Sequence, residues 1–293
     1  MHISEALKEY NIPFNEKTEV LNLNNKNISD ISNFDFLNLK VLFLEDNNIS
    51  NVENIDFKNI EDLDLSSNDI SIINQNFNIW VLDSLYLNDN MISDIYDVEL
   101  RNLKTLSLSN NALRYINNLN FRTLESLDIS YNEIQWLSEV DFCEISSLNI
   151  SNNNLYNLVN IDFWEILELN ASHNRINNIE WIDFKIITIL NLSYNDLYTL
   201  NGSYFSFVEE LDVSYNDNIE NIDYVDWWKI FSLNISHTSV DDIDNVNFHN
   251  IEELFIEWTP IVSFNHEIEY LHTWNNWKNI GNLERAREKT SIY

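Results

Sequence analysis

Cysteine is nearly absent: the 293-residue chain carries one, Cys143. A single thiol closes no internal disulfide and supplies no multi-cysteine zinc or iron–sulfur site, so disulfide-stapled domains and cysteine clusters are excluded. Positive charge is scarce, with 16 Lys and Arg against 48 Asp and Glu, for a formal net charge of −32. Such a surface repels phosphate backbones and no basic stripe offsets it, so neither nucleic acid nor an anionic bilayer is an expected partner. Long apolar runs are missing too; none approaches the roughly 18 residues of a membrane-spanning helix. The first ten residues lack the basic-then-apolar pattern of a secretory leader. The expected setting is cytoplasmic, or bacterial with export by a route that shows no signal peptide. Glycine and proline, two of each, fall far below usage in globular proteins, which is about 7% for glycine. Ordinary turn chemistry is therefore absent.

What is abundant is apolar and amide material: 44% apolar, 13% aromatic, and 51 asparagines. That apolar fraction suffices for a folded chain despite the charge. Asparagine is the obvious substitute for glycine in reversing the chain, because it tolerates left-handed conformations and bonds its own backbone.

A leucine in the frame L-x-L-x-x-N-x-I recurs at Leu21, Leu42, Leu63, Leu85, Leu106, Leu127, Leu148, Leu169, Leu190, Leu211, Leu233 and Leu254, with a step of 21 residues that twice stretches to 22, and a last member, Leu271, follows after 17. Two places on stands an aliphatic residue, with Ala171 the small exception. Five places on stands Asn47, Asn68, Asn90 and so on to Asn216, with Lys26, Thr238 and Thr259 departing at the ends. Six places before the leucine lies an aromatic column that includes Phe36, Phe57, Phe121, Phe142, Phe163, Phe184, Phe205, Trp227 and Phe248, with Ile79 and Leu100 as exceptions. A unit this short cannot bury its apolar edge alone, so successive units must stack around a shared core. The alternation around L-x-L gives one short strand per unit, and stacking turns these into a parallel sheet. The asparagine column becomes a ladder of amides bonding backbone groups, and the aromatic column a packing spine.

Asn27-Ile28-Ser29-Asp30-Ile31 and Met91-Ile92-Ser93-Asp94-Ile95 carry a resemblance to leucine-rich repeats. They are similar to the N-x-I-S-D-I stretch of bacterial internalin-type repeats, and the short repeats of the eukaryotic phosphatase-regulating family look alike. The resemblance covers about residues 18–275. Internalin units step by 22 residues and carry Pro-Leu where this chain has Asp-Phe. What the resemblance implies is a leucine-rich-repeat solenoid of 12–13 repeats, a horseshoe with its parallel β-sheet on the concave face and extended or 3₁₀ chain on the convex face. Ile3, Ala6, Leu7 and Tyr10 stand at helical spacing within residues 1–17, an expected N-terminal capping helix ending near Pro13. Residues 276–293, following Trp274 and Trp277 and bearing Arg285, Arg287 and Lys289, are expected to form a C-terminal cap and basic tail.

Function is expected on the concave strand positions one, three and four after each key leucine. The third is mostly serine, a structural filler. The first is variable and polar, with Asp128 and Asp212 among its members. The fourth runs Tyr131, Asn152, His173, Tyr194, Tyr215, His237, Trp258. Large amphipathic side chains in adjacent exposed positions are the types enriched in binding hot spots. The alternative is that these rings pack on one another and shield the sheet edge. Acidic residues flank the column, including Glu45, Asp64, Glu210, Glu253 and Glu257, and would steer in a basic partner surface.

Catalysis is not expected. Asp212, Ser214 and His237 are the residue types of a nucleophilic triad, yet serine recurs in that column in eight units and no glycine-rich turn shapes an oxyanion hole. His173 and His237 stand three strands apart, about 14 Å, so no shared metal and no cofactor is expected. N-x-S sequences at Asn149, Asn170, Asn191 and Asn234 arise from the repeat frame itself. The sequence thus describes a monomeric, non-enzymatic interaction scaffold that binds a protein, basic in character, through its concave face. The competing reading is a structural or assembly component that contacts neighbours through its caps or through Trp80, Trp136, Trp164 and Trp181.

Overall fold

The computed structural model describes residues 1–273 other than 37, 56, 78, 99, 101, 117–122, 138–139, 141, 143, 160, 224, 226, 249 and 263–267. The expected C-terminal cap and basic tail, with Phe121 and Cys143, lie outside the described residues. The chain divides into two compact units, residues 1–149 with 160–162, and residues 150–159 with 163–293.

Each key leucine sits at the centre of a three-residue strand. In the first unit these are β1 (Val20–Asn22), β2 (Val41–Phe43), β3 (Asp62–Asp64), β5 (Ser84–Tyr86), β7 (Thr105–Ser107), β8 (Ser126–Asp128) and β9 (Ser147–Asn149). They pair in that order, all parallel, each leucine opposite the next. In the second unit β10 (Glu168–Asn170), β11 (Ile189–Asn191), β12 (Glu210–Asp212), β13 (Ser232–Asn234), β14 (Glu253–Phe255) and β15 (Tyr270–His272) do the same. The strands are short because each coil spends only three residues before the asparagine turn. The leucine points inward while its two neighbours face out. Both units are therefore parallel β-solenoids, as the repeat frame predicts.

The core repeats with the sequence. In one coil Leu190, Leu192, Leu197, Leu200, Phe205 and Val208 are all buried, each contributing about 1.5–3 kcal/mol by leaving water. In the second unit the aromatic spine runs Phe163, Phe184 and Phe205 at ring-centroid distances of 5.6 and 5.4 Å. In the 22-residue repeat, where Ile79 replaces the spine aromatic, Phe77 moves in and meets Phe57 at 5.8 Å.

Return segments are extended chain and turns. They form a small parallel pair, β4 (Ile72–Ile73) with β6 (Asp94–Ile95), and isolated bridges Asn157–Asn178 and Asp183–Tyr204. A left-handed residue recurs nine places before the key leucine, at Asn33, Asn54, Asp97, Trp181 and Gly202. Gly202 is suited to that φ of +79°, whereas Trp181 adopts +67° with a side chain the region disfavours.

The one helix among the described residues, α1 (Ile3–Glu9), covers the start of the first unit. His2 caps it, its Nδ1 accepting from the Ser4 N–H while Glu5 reaches back to the His2 N–H. Ile3 and Ala6 are buried, and the Ile3 N–H donates to the Asp30 carbonyl at 2.9 Å. Leu7 is only half-buried and Tyr10 exposed, so the apolar face is narrower than its spacing suggests.

Candidate functional site

The coil turn that follows each strand shapes the exposed face. The asparagine five places after the leucine is a buried hydrogen-bond hub. Asn195 Nδ2 donates to the carbonyls of Ala171, Leu192 and Ser193 at 3.0, 3.0 and 3.1 Å, and its Oδ1 accepts from the Ile176 N–H at 2.9 Å. Asn132 repeats the pattern in the first unit. Thr238 and Thr259, which replace asparagine late in the second unit, each donate to the carbonyl three residues earlier.

This hub is not itself the residue that reverses the chain. The left-handed residue is the one before it: Asn25, Asp46, Ser67, Asp89, Asn110, Tyr131, Asn152, His173, Tyr194, Tyr215, His237 and Trp258 all have φ between 52° and 59°. The expectation that asparagine supplies the left-handed turns thus holds for only some coils. The reason lies in the stacking. A left-handed peptide turns both its polar groups along the stacking direction: the Tyr194 N–H donates to the Ser214 carbonyl at 2.9 Å, and the Tyr194 carbonyl accepts from the Asn174 N–H at 3.2 Å. Bonds from neighbouring coils hold a conformation that costs a non-glycine residue about 1–2 kcal/mol.

The third-position serines, expected on the exposed face, are buried. Ser130, Ser151, Ser172, Ser193, Ser214 and Ser236 have relative exposures of 3–6%. The first-position residue caps this bend: Asp128 accepts from the Ser130 N–H, Asn191 from Ser193 and Asp212 from Ser214. Asp212 also accepts from Asn234 Nδ2 at 3.2 Å. Ser214 is thereby buried behind its own strand, while the His237 ring lies between Tyr215 and Trp258. Their shared geometry is that of a coil turn.

Five of the predicted site residues come together. In the second unit His173 stacks on Tyr194 at a centroid distance of 4.0 Å, Tyr194 on Tyr215 at 3.9 Å and Tyr215 on His237 at 4.0 Å, with interplanar angles of 10–12°. Trp258 continues the column at 5.6 Å from His237. Each ring sits three residues past its strand, so strand spacing of about 4.8 Å sets the ladder's rise. A stacked pair contributes about 0.5–1.5 kcal/mol, enough to offset most of the left-handed cost. The rings nevertheless stay in water along one edge: Tyr194 is 41% exposed, Tyr215 38% and Trp258 57%. Of the other candidates, Asn152 lies half-buried one coil ahead of His173 and donates to Ser151 Oγ, while Tyr131 and Asp128 belong to the first unit.

Tyr194 carries the electrostatic signature of the ladder. Its phenol pKa is raised above the ordinary value, first by the neighbouring Tyr215 hydroxyl, then by burial and the nearby negative charge of Asp212. The strand residue before each leucine also faces out, adding exposed Glu168, Ile189 and Glu210 and half-buried Glu253. The columns one, three and four after the leucine omit this position, although period-two alternation around the key leucine marks it. A second stack, Phe255 on His272 at 4.0 Å, ends the described face, with His272 Nε2 3.2 Å from Glu253 Oε1.

No protein-family profile and no curated protein matches the chain. Solved structures do. The functional domain of InlJ from Listeria monocytogenes is similar at a TM-score of 0.64 and 19% identity over 91% of this chain and 55% of that one. A leucine-rich repeat protein from Bacteroides eggerthii is similar at 0.62 and 19%, over 83% and 48%. This chain thus spans about half the length of those two. The leucine-rich-repeat protein FLRT2, solved in an octameric complex with Latrophilin 3 and Unc5D, is similar at 0.61 and 20%, over 85% and 78%. The chain has the leucine-rich-repeat fold.

Proposed function

We propose that the protein is a non-enzymatic interaction scaffold that binds a protein partner with a basic surface through the exposed face of its sheet. One observation carries this reading. The second unit displays five stacked aromatic side chains on the turns that follow its strands, His237 half-buried and the other four exposed, with Glu168, Glu210, Asp212 and Glu253 on the strands themselves and no lysine or arginine there. Exposed aromatics cost free energy in water and are the side chains that anchor interfaces. Carboxylates with no lysine or arginine beside them on the strands select a cationic partner and speed its arrival. FLRT2, which shares the fold, was solved with protein partners, in keeping with this use. A net charge of −32 favours a monomer, since copies of the chain repel one another.

The test is capture of the partner from the native source with wild-type protein and with a Tyr194→Ala, Tyr215→Ala double variant. Loss of capture in the folded variant is expected. Equal recovery by both would remove the ladder from the binding surface.

A second reading has its own observation. Trp80, Trp164, Trp181 and Trp228 on the return segments are 60–77% exposed, as an assembly component contacting neighbours through these residues requires. Light scattering during size exclusion separates the two, since a stable assembly favours the second.

A further inference from the structure

Tyr194 has rings against both faces, His173 at 4.0 Å and Tyr215 at 3.9 Å; Tyr215 lies between Tyr194 and His237. A cation gains from an aromatic ring by sitting over its face, within about 6 Å of the centroid. At these two tyrosines that position is already filled. What they present to solvent is the ring edge and the phenol oxygen.

The Asp212 carboxylate stands on the same strand as the Tyr215 turn and close enough to Tyr194 to raise its pKa. One of its oxygens is held by the Ser214 N–H at 2.8 Å, the other by Asn234 Nδ2 at 3.2 Å. Each carboxylate oxygen retains acceptor capacity, and so does each phenol oxygen. The carboxylate is fixed in place by bonds that leave its charge uncompensated. In the whole second unit the described cationic side chains are Arg175, Lys185 and Lys229, none on a strand.

Resting on the binding reading above, we propose that the ladder recognises its partner by its edge: the Tyr194 and Tyr215 hydroxyl oxygens and the Asp212 carboxylate together take an arginine side chain of the partner protein. A planar guanidinium with five N–H donors matches several oxygens fixed side by side, whereas a lysine ammonium, a compact point charge, gains less from such an array.

The test uses a labelled oligoarginine peptide, an oligolysine of equal length, and the full chain. Tyr194→Phe with Tyr215→Phe keeps rings and net charge, so the general attraction of a −32 protein is unchanged and only the hydroxyls are lost. Oligoarginine affinity is expected to fall about tenfold in this variant. A comparable fall is expected in Asp212→Asn, and none in Asp241→Asn, an equal charge loss off the strands. Wild type is expected to prefer oligoarginine to oligolysine. Thermal unfolding checks that the stack persists; if the double variant melts well below wild type, Asp212→Asn against Asp241→Asn decides. Unchanged oligoarginine affinity in the Phe variant with its stack intact, equal affinity for both peptides, or equal effects of the two Asp substitutions would overturn the proposal. Native-partner capture separates the two levels. Capture lost in the Ala double variant but kept in the Phe double variant overturns edge recognition alone; capture kept in both overturns the binding reading as well.

Discussion

Tyr194 concentrates three features in one residue: a left-handed backbone, a ring stacked on both sides and a raised phenol pKa. The sign of the last fixes a pH dependence. A phenol whose folded pKa exceeds its unfolded one stays protonated longer in the native state, so its stabilisation is complete below the ordinary phenol value and is lost as pH rises through the raised one. Because the Tyr215 hydroxyl is the leading cause, Tyr215→Phe is expected to lower the pH at which Tyr194 ionises. Ring-carbon NMR of labelled tyrosine checks this, and an unmoved titration would refute the coupling of the two hydroxyls. Asn195 makes a different residue-scale prediction. Asn195→Ala strands the Ile176 N–H, while the carbonyls of Ala171, Leu192 and Ser193 keep their bonds from Asn174, Asn216 and the His173 N–H. The substitution should cost about 1–3 kcal/mol in urea unfolding. The asparagine's role was legible from its recurrence alone. The left-handed residue before it was not, because bonds from adjacent coils hold a tyrosine, histidine or tryptophan in a conformation that its own chemistry disfavours.

At the scale of the element, each coil is a strand, a turn and a return segment, and the two sides tolerate change differently. Phe184 packs between Phe163 and Phe205 and is 1% exposed, so Phe184→Ala should cost about 3–5 kcal/mol by the cavity it leaves. Trp181 holds a left-handed φ with its indole 77% exposed, at the position where Asn33 and Asn54 stand in other coils. Trp181→Asn is therefore expected to leave thermal stability unchanged or raise it, since asparagine tolerates that region. A large loss would mean that the indole packs on its own coil. The strands were legible because every key leucine repeats in phase; even the displaced Leu271 centres a strand. The burial of the third-position serines was not, because alternation alone carries the face on past the strand, whereas Asp128, Asn191 and Asp212 bend the chain inward there.

For the whole molecule, a net charge of −32 sets the balance between stability and attraction. Like charges along stacked coils repel, so added salt should raise the unfolding midpoint until screening is complete at a Debye length of a few ångströms. The same screening should weaken capture of a basic partner. Opposite responses of stability and affinity to one variable are what charge-steered binding on this fold requires. The fold emerged from recurrence, which repeats the same information in every coil. The repeat frame also gives which rings fall in consecutive coils, His173 to Trp258, but how closely they stack depends on the turn after each strand, which the frame does not carry. The central claim, that the partner docks on the ladder, is tested most directly by hydroxyl-radical footprinting of the complex with the captured native partner. Protection of Tyr194, Tyr215 and Trp258 with continued reactivity of Trp181 and Trp228 is the predicted result. Protection of Trp181 and Trp228 with the ladder left reactive would contradict it.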